Sequence, residues 1–524
     1  MKYFDAVIIG GGHNGLAAAV HLLSHGWKVA VVEANESFGG AVKTQELTLP
    51  GFHHDLAAMN ISMFAGSPFF ARHKDILIES GLSFIPAPDC FATVFRDDTY
   101  AGVSKDINTT IESINQFSYK DGLRWRSMAN NFEKNSPYIF EILNNATPSL
   151  NNILTLSKLM RNRGVAGLFD IAKLFTLSSR DYLDTEFESP KIKAMLASWG
   201  LHLDFSPEIP GGAIFPYLEG MTNQNYGMVI GKGGADTIIN SMLNAIKKYG
   251  GELYSGVPVT EVLIKNGVAE GVKLRNGVNL LGKKAIIANL NPKVLIRDLL
   301  PNLPSDDKFY QRLKNYRAGP GTMMIHLAMN NLPEWNAGTS LRNYAYVHIA
   351  PDMAMMSKAY NEAINGFLPE EPVLVVGQPT AIDPTRAPEG KHILWVQVRV
   401  LPAEIKGDAA GKISDRCWDR VKEKYADRAL DILEKYAPGI KENILKSTIL
   451  SPLDLEKLNP NLIGGDNLAG SHHPDQSFLL RPALGYSRYN TSIKKLYMCG
   501  ASTWPGAGTG AGSGFLLAKK LVGK

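Results

Sequence analysis

Residues 5–33 read DAVIIGGGHNGLAAAVHLLSHGWKVAVVE, and this stretch decides the fold class. An apolar run of strand length breaks at glycines and continues as a segment rich in alanine and leucine. It ends in a second apolar run, Val29–Val32. This order predicts a strand–helix–strand unit of an α/β fold.

The glycines of this stretch follow the spacing G-x-G-x-x-G at Gly10, Gly12 and Gly15. In that motif the first glycine permits a tight turn and the second lets the main chain approach a pyrophosphate. The third lets the helix pack on the strand. Glu33 ends the second apolar run, about 20 residues further on, where an acidic side chain accepts hydrogen bonds from an adenosine ribose. Together these features predict a dinucleotide site.

The composition is that of a folded globular protein. The chain has 524 residues, of which 45% are hydrophobic and 20% charged, and its net charge is only +5. Nucleic-acid-binding domains carry a much denser basic surface. Nucleic acid is therefore not an expected partner. The sequence does not indicate the oligomeric state.

Three cysteines, Cys90, Cys417 and Cys499, are widely separated and form no CxxC pair. This excludes a disulfide-reductase mechanism and indicates a reducing compartment. The first residues show no secretory signal, so a cytoplasmic location is expected. The uncharged stretch 496–518 is long enough to span a membrane, but its glycines and Pro505 predict a buried glycine-rich loop.

A glycine doublet, Gly39-Gly40, follows Glu33. Gly39 and Gly40 resemble the extended motif of FAD-binding oxidoreductases with a glutathione-reductase-like nucleotide fold. The resemblance extends along the chain through residues 10–52, residues 231–274 and the C-terminal LYMCGASTWPGAGTGAGSG of residues 496–514. On these motifs the sequence resembles the phytoene-desaturase and carotenoid-isomerase family.

The resemblance implies FAD as cofactor and names further site residues. Val259 matches the position whose main chain holds adenine, and the closing motif wraps the ribityl chain and the flavin ring. The matching positions in that motif are Gly500, Ser502, Gly508 and Thr509. The stretch leading into it includes Gln476, Arg481 and Pro482.

Two departures from the family pattern stand out. Many relatives place an arginine after the glycine doublet, where this chain has Ala41, with Lys43 as the nearest cation. Carotenoid enzymes carry His-Pro-Gly where this chain has Trp504-Pro505-Gly506. The pattern is similar to the branch that includes the animal pyridine nucleotide-disulphide oxidoreductase domain-containing protein 2. A second G-x-G-x-x-G is missing, which favours oxygen or a quinone as electron acceptor.

The family layout implies a discontinuous glutathione-reductase-like (Rossmann-type) FAD domain made of residues 1–70, 225–295 and 485–524. The intervening residues 71–224 and 296–484 form a substrate domain with a mixed sheet and helices. Alternating sequence predicts strands at 321–329, 373–376 and 392–400, and charge spacing predicts a solvent-facing amphipathic helix over 408–437.

Residues 150–183 mix apolar with basic side chains, and two interpretations stay open. The segment is either a helical pair packed on the substrate domain or a basic amphipathic surface that contacts a membrane peripherally. The paired His472 and His473 are expected to be loop histidines and not metal ligands, because Asp475 is the only acidic residue at ligand spacing. Asp466 is expected to bind a turn.

Three hypotheses for function follow. The first is an FAD-dependent oxidoreductase that desaturates, saturates or isomerises a polyene, isoprenoid or other lipid. The second is a flavin amine or amino-acid oxidase, in which Trp504 and Tyr486 form an aromatic wall and Arg481 binds a carboxylate. The third is a non-catalytic FAD-bound assembly or binding factor. Trp504, Arg481 and Gln476 are the candidate catalytic residues.

Overall fold

The predicted strand–helix–strand unit begins the fold. In the computed structural model, which describes residues 2–523, Lys2–Ile9 and Val29–Val32 are parallel neighbours connected by the helix His13–Leu23. They belong to a seven-stranded first sheet. Its other strands are Glu252–Tyr254, Val259–Lys265, Val268–Leu274, Asn279–Ala288 and Leu496–Met498.

The first sheet combines parallel and antiparallel strands. Lys2–Ile9 lies between Val29–Val32 and Asn279–Ala288, and both pairings are parallel. The central strands are apolar because helices cover both faces of a parallel sheet. Strands from the beginning, middle and end of the chain thus meet in one sheet, inside the three segments expected for the FAD domain. The exact domain boundaries stay a prediction.

The second sheet also has seven strands and confirms the predicted strands. In spatial order they are Ile444–Leu450, Gly321–Met329, His392–Leu401, Val373–Gly377, Tyr346–Ile349, Asp89–Val94 and Tyr100–Ser104. One neighbouring pair, Tyr346–Ile349 with Asp89–Val94, is parallel, and the others are antiparallel. The fold is therefore α/β with mixed sheets.

Helices and short strands fill the space around the two sheets. The further α-helices are Ser62–Ala65, Pro68–Glu79, Ile107–Asn115, Tyr119–Leu143, Leu150–Thr176, Ser179–Glu186, Pro190–Ala197, Ile214–Tyr226, Thr237–Lys248, Pro292–Val294, Lys308–Leu313, Met353–Ile364, Trp418–Tyr436, Pro452–Leu458 and Gly512–Val522. Short strand pairs join Thr44–Gln45 to His54–Asp55, Phe84–Ala87 to Met228–Gly231, and Phe367–Leu368 to Gly407–Asp408.

Two sequence-based expectations were wrong in extent. The helix expected over 408–437 begins at Trp418, because Asp408 lies in a strand and accepts hydrogen bonds from the main-chain N–H groups of Lys412 and Ile413. The helix is amphipathic as predicted, since its polar face is exposed and its apolar face is buried. The loop expected over 496–518 is confined to its middle, because a strand precedes it and the helix Gly512–Val522 follows it.

Residues 150–183 form the helix Leu150–Thr176, which is kinked at Gly164, and the start of a second helix, Ser179–Glu186. Gly164 has φ 67°, a left-handed conformation that favours glycine. Among the helices of residues 2–523, none has the length and apolar character needed to cross a membrane.

A buried ion pair joins the N-terminal segment, at Asp55, to a connection of the second sheet, at Arg386. The guanidinium of Arg386 is fully buried and donates to the carboxylates of Asp55 and Asp383 and to the carbonyl of Gly231, at 2.6 Å for the last. Breaking such a pair by removing one partner leaves an uncompensated buried charge and costs about 3–5 kcal/mol. Arg386 therefore fixes how the short strand His54–Asp55 meets the connection between the strands Val373–Gly377 and His392–Leu401 of the second sheet.

Candidate functional site

A single cavity of about 1530 Å³ extends from the first sheet to the second. Most of the residues predicted from sequence to hold FAD line it: Gly10, Gly12, Glu33, Gly39, Gly40, Val259, Gly500, Ser502, Gly508 and Thr509. We call this part of the cavity the nucleotide end. Motifs that are hundreds of residues apart in sequence are thus brought into one site.

The glycine turn at the nucleotide end is held against Asn289. The Asn289 Nδ2 donates to the carbonyls of Gly10 and Gly12, at 3.1 and 3.4 Å. Gly15 does not line the cavity, and a Cβ on it would stand 2.4 Å from the Gly10 oxygen. Gly15 therefore allows the helix to begin directly behind the turn, with its N-terminal N–H groups facing the cavity.

Glu33 is positioned by the main chain. Its Oε2 accepts the N–H of Gly11 at 2.8 Å and its Oε1 accepts the N–H of Asn35 at 2.9 Å. The side chain is 8% exposed and lines the cavity. Each carboxylate oxygen keeps a lone pair for a ribose hydroxyl.

The doublet Gly39-Gly40 packs against the glycine turn of residues 10–12. Gly39 donates to the Gly11 carbonyl at 2.9 Å, and Gly39 and Gly40 have φ 119° and 63°. Ala41 lines the cavity, whereas Lys43 does not. The cations at this end are instead Arg275 and Lys457, which no sequence motif indicated.

The C-terminal loop is tied to the N-terminal helix. The Gly508 carbonyl lies 3.0 Å from His13 Nε2, and the Ser502 hydroxyl donates to the Leu290 carbonyl at 3.2 Å. Burial lowers the pKa of His13 to about 4, so its ring is neutral and donates to Gly508. The helix Gly512–Val522 begins at the cavity and adds its N-terminal dipole there.

This arrangement fits FAD. A glycine turn at a helix N-terminus would hold a pyrophosphate, Glu33 would accept hydrogen bonds from ribose hydroxyls, and the N-terminus of Gly512–Val522 offers a second positive dipole end at the cavity. The cavity is larger than the roughly 300–1,000 Å³ typical of drug-sized ligands. Its volume therefore leaves room for a second molecule beside the cofactor.

Of the three candidate catalytic residues, Trp504 lines the cavity. Its ring stacks on Phe478 with centroids 4.5 Å apart, and its indole N–H donates to the Asn145 carbonyl at 2.8 Å. Tyr486, the other expected member of an aromatic wall, instead packs on Phe309 outside the cavity. The wall is therefore Trp504 with Phe478, and the expectation for Tyr486 is corrected.

Arg481 and Gln476 lie behind the wall. Arg481 is 1% exposed and donates to the carbonyls of Gly470, Ser471, Gln476 and Ala501. Gln476 bonds the main chain of Arg317 and Ser471. Neither side chain lines the cavity. Their contacts hold the loops that carry the wall.

The paired histidines take different partners. The His472 Nε2 accepts the N–H of Ala507 at 2.9 Å and the ring lines the cavity, whereas His473 Nε2 lies 2.6 Å from the Asp204 carbonyl. Asp466 binds a turn, as expected, since its oxygens accept the N–H groups of Gly319, Leu468 and Gly470.

The other end of the cavity, the second-sheet end, is made of side chains that sequence motifs did not indicate. It is lined by Trp199, Glu219, Tyr346, Trp395, Gln397 and Arg399. The last three alternate along His392–Leu401 and so share one face of the sheet. The signal was present in the sequence as two polar residues, Gln397 and Arg399, that interrupt the apolar run after His392 in the strand HILWVQVRVL.

Glu219 is the acidic group of this end. It lies on the helix Ile214–Tyr226 and faces the cavity, and its carboxylate accepts one weak hydrogen bond from Asn223 Nδ2 at 3.4 Å. Burial raises the pKa of Glu219 to about 7. At neutral pH this carboxyl can therefore either accept or release a proton.

Comparisons with known proteins cover most of the chain. The chain matches the family described as flavin containing amine oxidoreductase over residues 15–503. It is 26% identical to pyridine nucleotide-disulfide oxidoreductase domain-containing protein 2 of Rattus norvegicus, covering 98% of this chain and 92% of that protein. It is 25% identical to a limonene dehydrogenase subunit of Castellaniella defragrans, covering 100% and 95%.

A phytoene desaturase (neurosporene-forming) of Cereibacter sphaeroides is 22% identical over 98% of this chain and 94% of that protein. The resemblance inferred from the motifs is thus confirmed. The crystal structure of an oxidoreductase from Methanosarcina mazei has the same fold, with a TM-score of 0.63, 18% identity and full coverage of both chains. Since the family match spans most of the sequence, the protein belongs to the flavin-containing amine oxidoreductase family and uses FAD as its cofactor.

Proposed function

We propose that the protein oxidises or isomerises a hydrophobic substrate by hydride transfer at a carbon–carbon bond. The observation that carries this proposal is the cavity wall between the nucleotide end and the second-sheet end. It is formed by apolar and aromatic side chains that include Phe175, Leu203, Phe205, Ile214, Phe215, Leu218, Leu468 and Phe478. A long apolar molecule would contact apolar side chains along this wall.

The named activities of two relatives support the proposal. Limonene and phytoene are the hydrocarbons in the names of a similar dehydrogenase subunit and a similar desaturase. This chain covers nearly the full length of both proteins. We therefore prefer an isoprenoid or related lipid substrate to an amine.

In this proposal bound FAD supplies hydride acceptance, and the chain supplies position, exclusion of water and a proton acceptor. Trp504 and Phe478 form a flat wall against which an unsaturated chain can lie. Glu219 lines the cavity, and its pKa of about 7 suits the removal of a proton from the carbon adjacent to the one that would give hydride to FAD.

We also propose that the nucleotide domain has the glutathione-reductase-like form, with the three-segment division given above. The strand order in the first sheet supports this, because Glu252–Tyr254, Val29–Val32, Lys2–Ile9 and Asn279–Ala288 lie side by side and parallel. We expect oxygen or a quinone as acceptor, since the sequence has a single G-x-G-x-x-G motif.

The helix Leu150–Thr176 is our proposed membrane-contacting surface. Leu150, Ile153 and Leu154 are 78, 61 and 65% exposed, and Met160 and Phe169 are also exposed. Basic residues 158, 161, 163 and 173 are interspersed among them, as in helices that lie on anionic bilayers. The loop before this helix joins the cavity wall through Asn145, so a lipid substrate would enter close to the membrane surface.

Anaerobic mixing tests the proposed reaction. The flavin-loaded protein is mixed with vesicles carrying limonene or phytoene and, separately, with putrescine or a primary alkylamine, and the absorbance of oxidised flavin is followed. We expect bleaching with isoprenoids alone. Bleaching by amines alone would replace the proposal with an amine oxidase, and no bleaching by either class would favour a non-catalytic role.

A further inference from the structure

Arg399 is a buried cation without a counterion among residues 2–523. Its side chain lines the second-sheet end of the cavity and is 6% exposed. Its Nη2 donates to the His202 carbonyl at 3.1 Å and its Nη1 to the Asn467 Oδ1 at 3.4 Å, while its Nε has no partner within the described residues. A guanidinium has five N–H donors, so most of those of Arg399 remain free.

The other two buried arginines are satisfied by the chain. Arg386 pairs with Asp55 and Asp383, and Arg481 donates to four main-chain carbonyls. By contrast, no carboxylate of residues 2–523 lies within 4.0 Å of the Arg399 nitrogens. Taking a charge out of water without an ionic partner is costly, so the missing partner is expected to be a ligand.

The acidic groups around Arg399 do not compensate it. Asp466 is near enough to act on it, but its oxygens are occupied by the N–H groups of Gly319, Leu468 and Gly470. Glu219 lies in the same end of the cavity but forms no ion pair with it. Burial lowers the pKa of Arg399 only to about 10, so the guanidinium is charged at neutral pH.

Two neutral donors lie on the same face of the second sheet. Gln397 lines the cavity, and its side-chain amide forms no hydrogen bond with the described residues. The Tyr346 oxygen accepts the N–H of Asn60 at 3.2 Å, and its hydroxyl hydrogen has no acceptor within residues 2–523. Tyr346 shares this face because its strand partner, Gly377, is also paired with Trp395. One cation and two neutral donors therefore line the same face of the cavity.

We propose that the second-sheet end binds the carboxylate of an amphipathic acid whose apolar tail lies along the apolar wall of the cavity. This inference rests on the proposed function and narrows its substrate to hydrophobic acids. A carboxylate matches the site better than a phosphate ester or diphosphate. The site offers a single cation, and Glu219 adds negative charge there when ionised.

Calorimetric titration of the flavin-loaded protein tests the site without requiring turnover. The probes are dodecanoate, dodecanol and dodecyl phosphate, which share a tail and differ in the head group. We expect dodecanoate to bind at least roughly tenfold more tightly than either of the others, because a charge-assisted bidentate pair is stronger than a neutral hydrogen bond.

Two variants assign this preference to Arg399. R399Q is expected to bind dodecanoate and dodecanol with similar affinity, whereas R399K retains a preference for the acid. R416Q removes an exposed arginine remote from the cavity lining and is expected to match the wild type. Retained flavin absorbance shows that each variant is folded and loaded.

Three results would overturn the inference. Equal affinity of the wild type for dodecanoate and dodecanol would show that Arg399 recognises no head group. Tighter binding of dodecyl phosphate would make it a phosphate site. An altered flavin spectrum or potential in R399Q, with the preference for dodecanoate intact, would show that Arg399 pairs with the flavin. Failure of the proposed reaction is separate, because it appears as an absence of bleaching while binding selectivity persists.

Discussion

At the nucleotide end of the cavity the contacts come from the main chain and from glycines, whereas at the second-sheet end they come from long polar side chains. Gly10, Gly12 and Gly39 place main-chain groups against the cofactor position, and Asn289 fixes the turn. Arg399 and Glu219 instead line the cavity and form few hydrogen bonds with the protein. One end is built for a fixed ligand and the other leaves donors and acceptors for an exchanging one.

The largest effect is expected from blocking the glycine turn. G15A places a methyl group 2.4 Å from the Gly10 oxygen and 2.9 Å from Asn289 Nδ2, so the turn must shift where the pyrophosphate binds. We expect the variant to purify without flavin, as measured by absorbance after size-exclusion chromatography. Circular dichroism checks that the protein is folded.

G66A is the matched control for this change. Gly66 lines the cavity, but an added Cβ would have its nearest neighbour, the Ser62 carbonyl, at 3.5 Å, an ordinary contact. Full flavin content in G66A with none in G15A would support a nucleotide end that depends on close main-chain packing. Equal flavin content in the two variants would contradict it.

The contrast between the two ends explains how far the sequence could predict this site. Local spacing is enough to specify a glycine turn, because the residues that make it are neighbours in the chain. The family resemblance added Val259, Gly500 and Thr509 to the predicted site, and the structure brings all three to the same cavity. The strand–helix–strand unit of the first sheet and three strands of the second were predicted from the same kind of local pattern.

The second-sheet end could not be predicted in this way, because its chemistry depends on long-range contacts. Arg481 and Arg399 are both arginines in mixed sequence, and only the structure shows that the first donates to carbonyls while the second faces the cavity. Similarly, Tyr486 and Phe478 are both aromatic, but the fold turns Tyr486 toward Phe309. Side-chain direction and burial decided these roles.

A second prediction tests whether the second-sheet end carries the proton chemistry. E219Q keeps the shape of the side chain and removes its capacity to accept a proton. We expect flavin content to be unchanged and the rate of flavin reduction by the bleaching substrate to fall roughly a hundredfold, the lower range for loss of a general base. E133Q changes an exposed glutamate outside the cavity lining and should leave the rate unchanged.

The pH dependence of the flavin-reduction rate tests the same role of Glu219. A base is active when deprotonated, and the pKa of Glu219 is raised to about 7, so the wild-type reduction rate should rise as the pH rises through about 7. E219Q should lose that rise. A rise of the same size in E219Q would assign the titration to another group and remove Glu219 from the mechanism.

The smallest effect is expected at the proposed membrane-contacting helix, Leu150–Thr176. Leu150 and Leu154 project from the first turns of Leu150–Thr176 and bury little surface in the folded protein. The double variant L150S/L154S should therefore keep its stability and flavin. It should bind vesicles of phosphatidylcholine and phosphatidylglycerol at least about tenfold more weakly, since two leucines no longer enter the lipid.

The double variant I264S/I364S, with exposed apolar residues on other elements, serves as the control for vesicle binding. If both double variants bind vesicles like the wild type, the helix is not a membrane surface, and its exposed leucines must be covered by a protein partner or remain in water. A more informative outcome is that L150S/L154S also slows reduction by substrate in vesicles but not by substrate in detergent. The helix would then deliver lipid to the cavity, and the two ends of the cavity would differ in access as well as in construction.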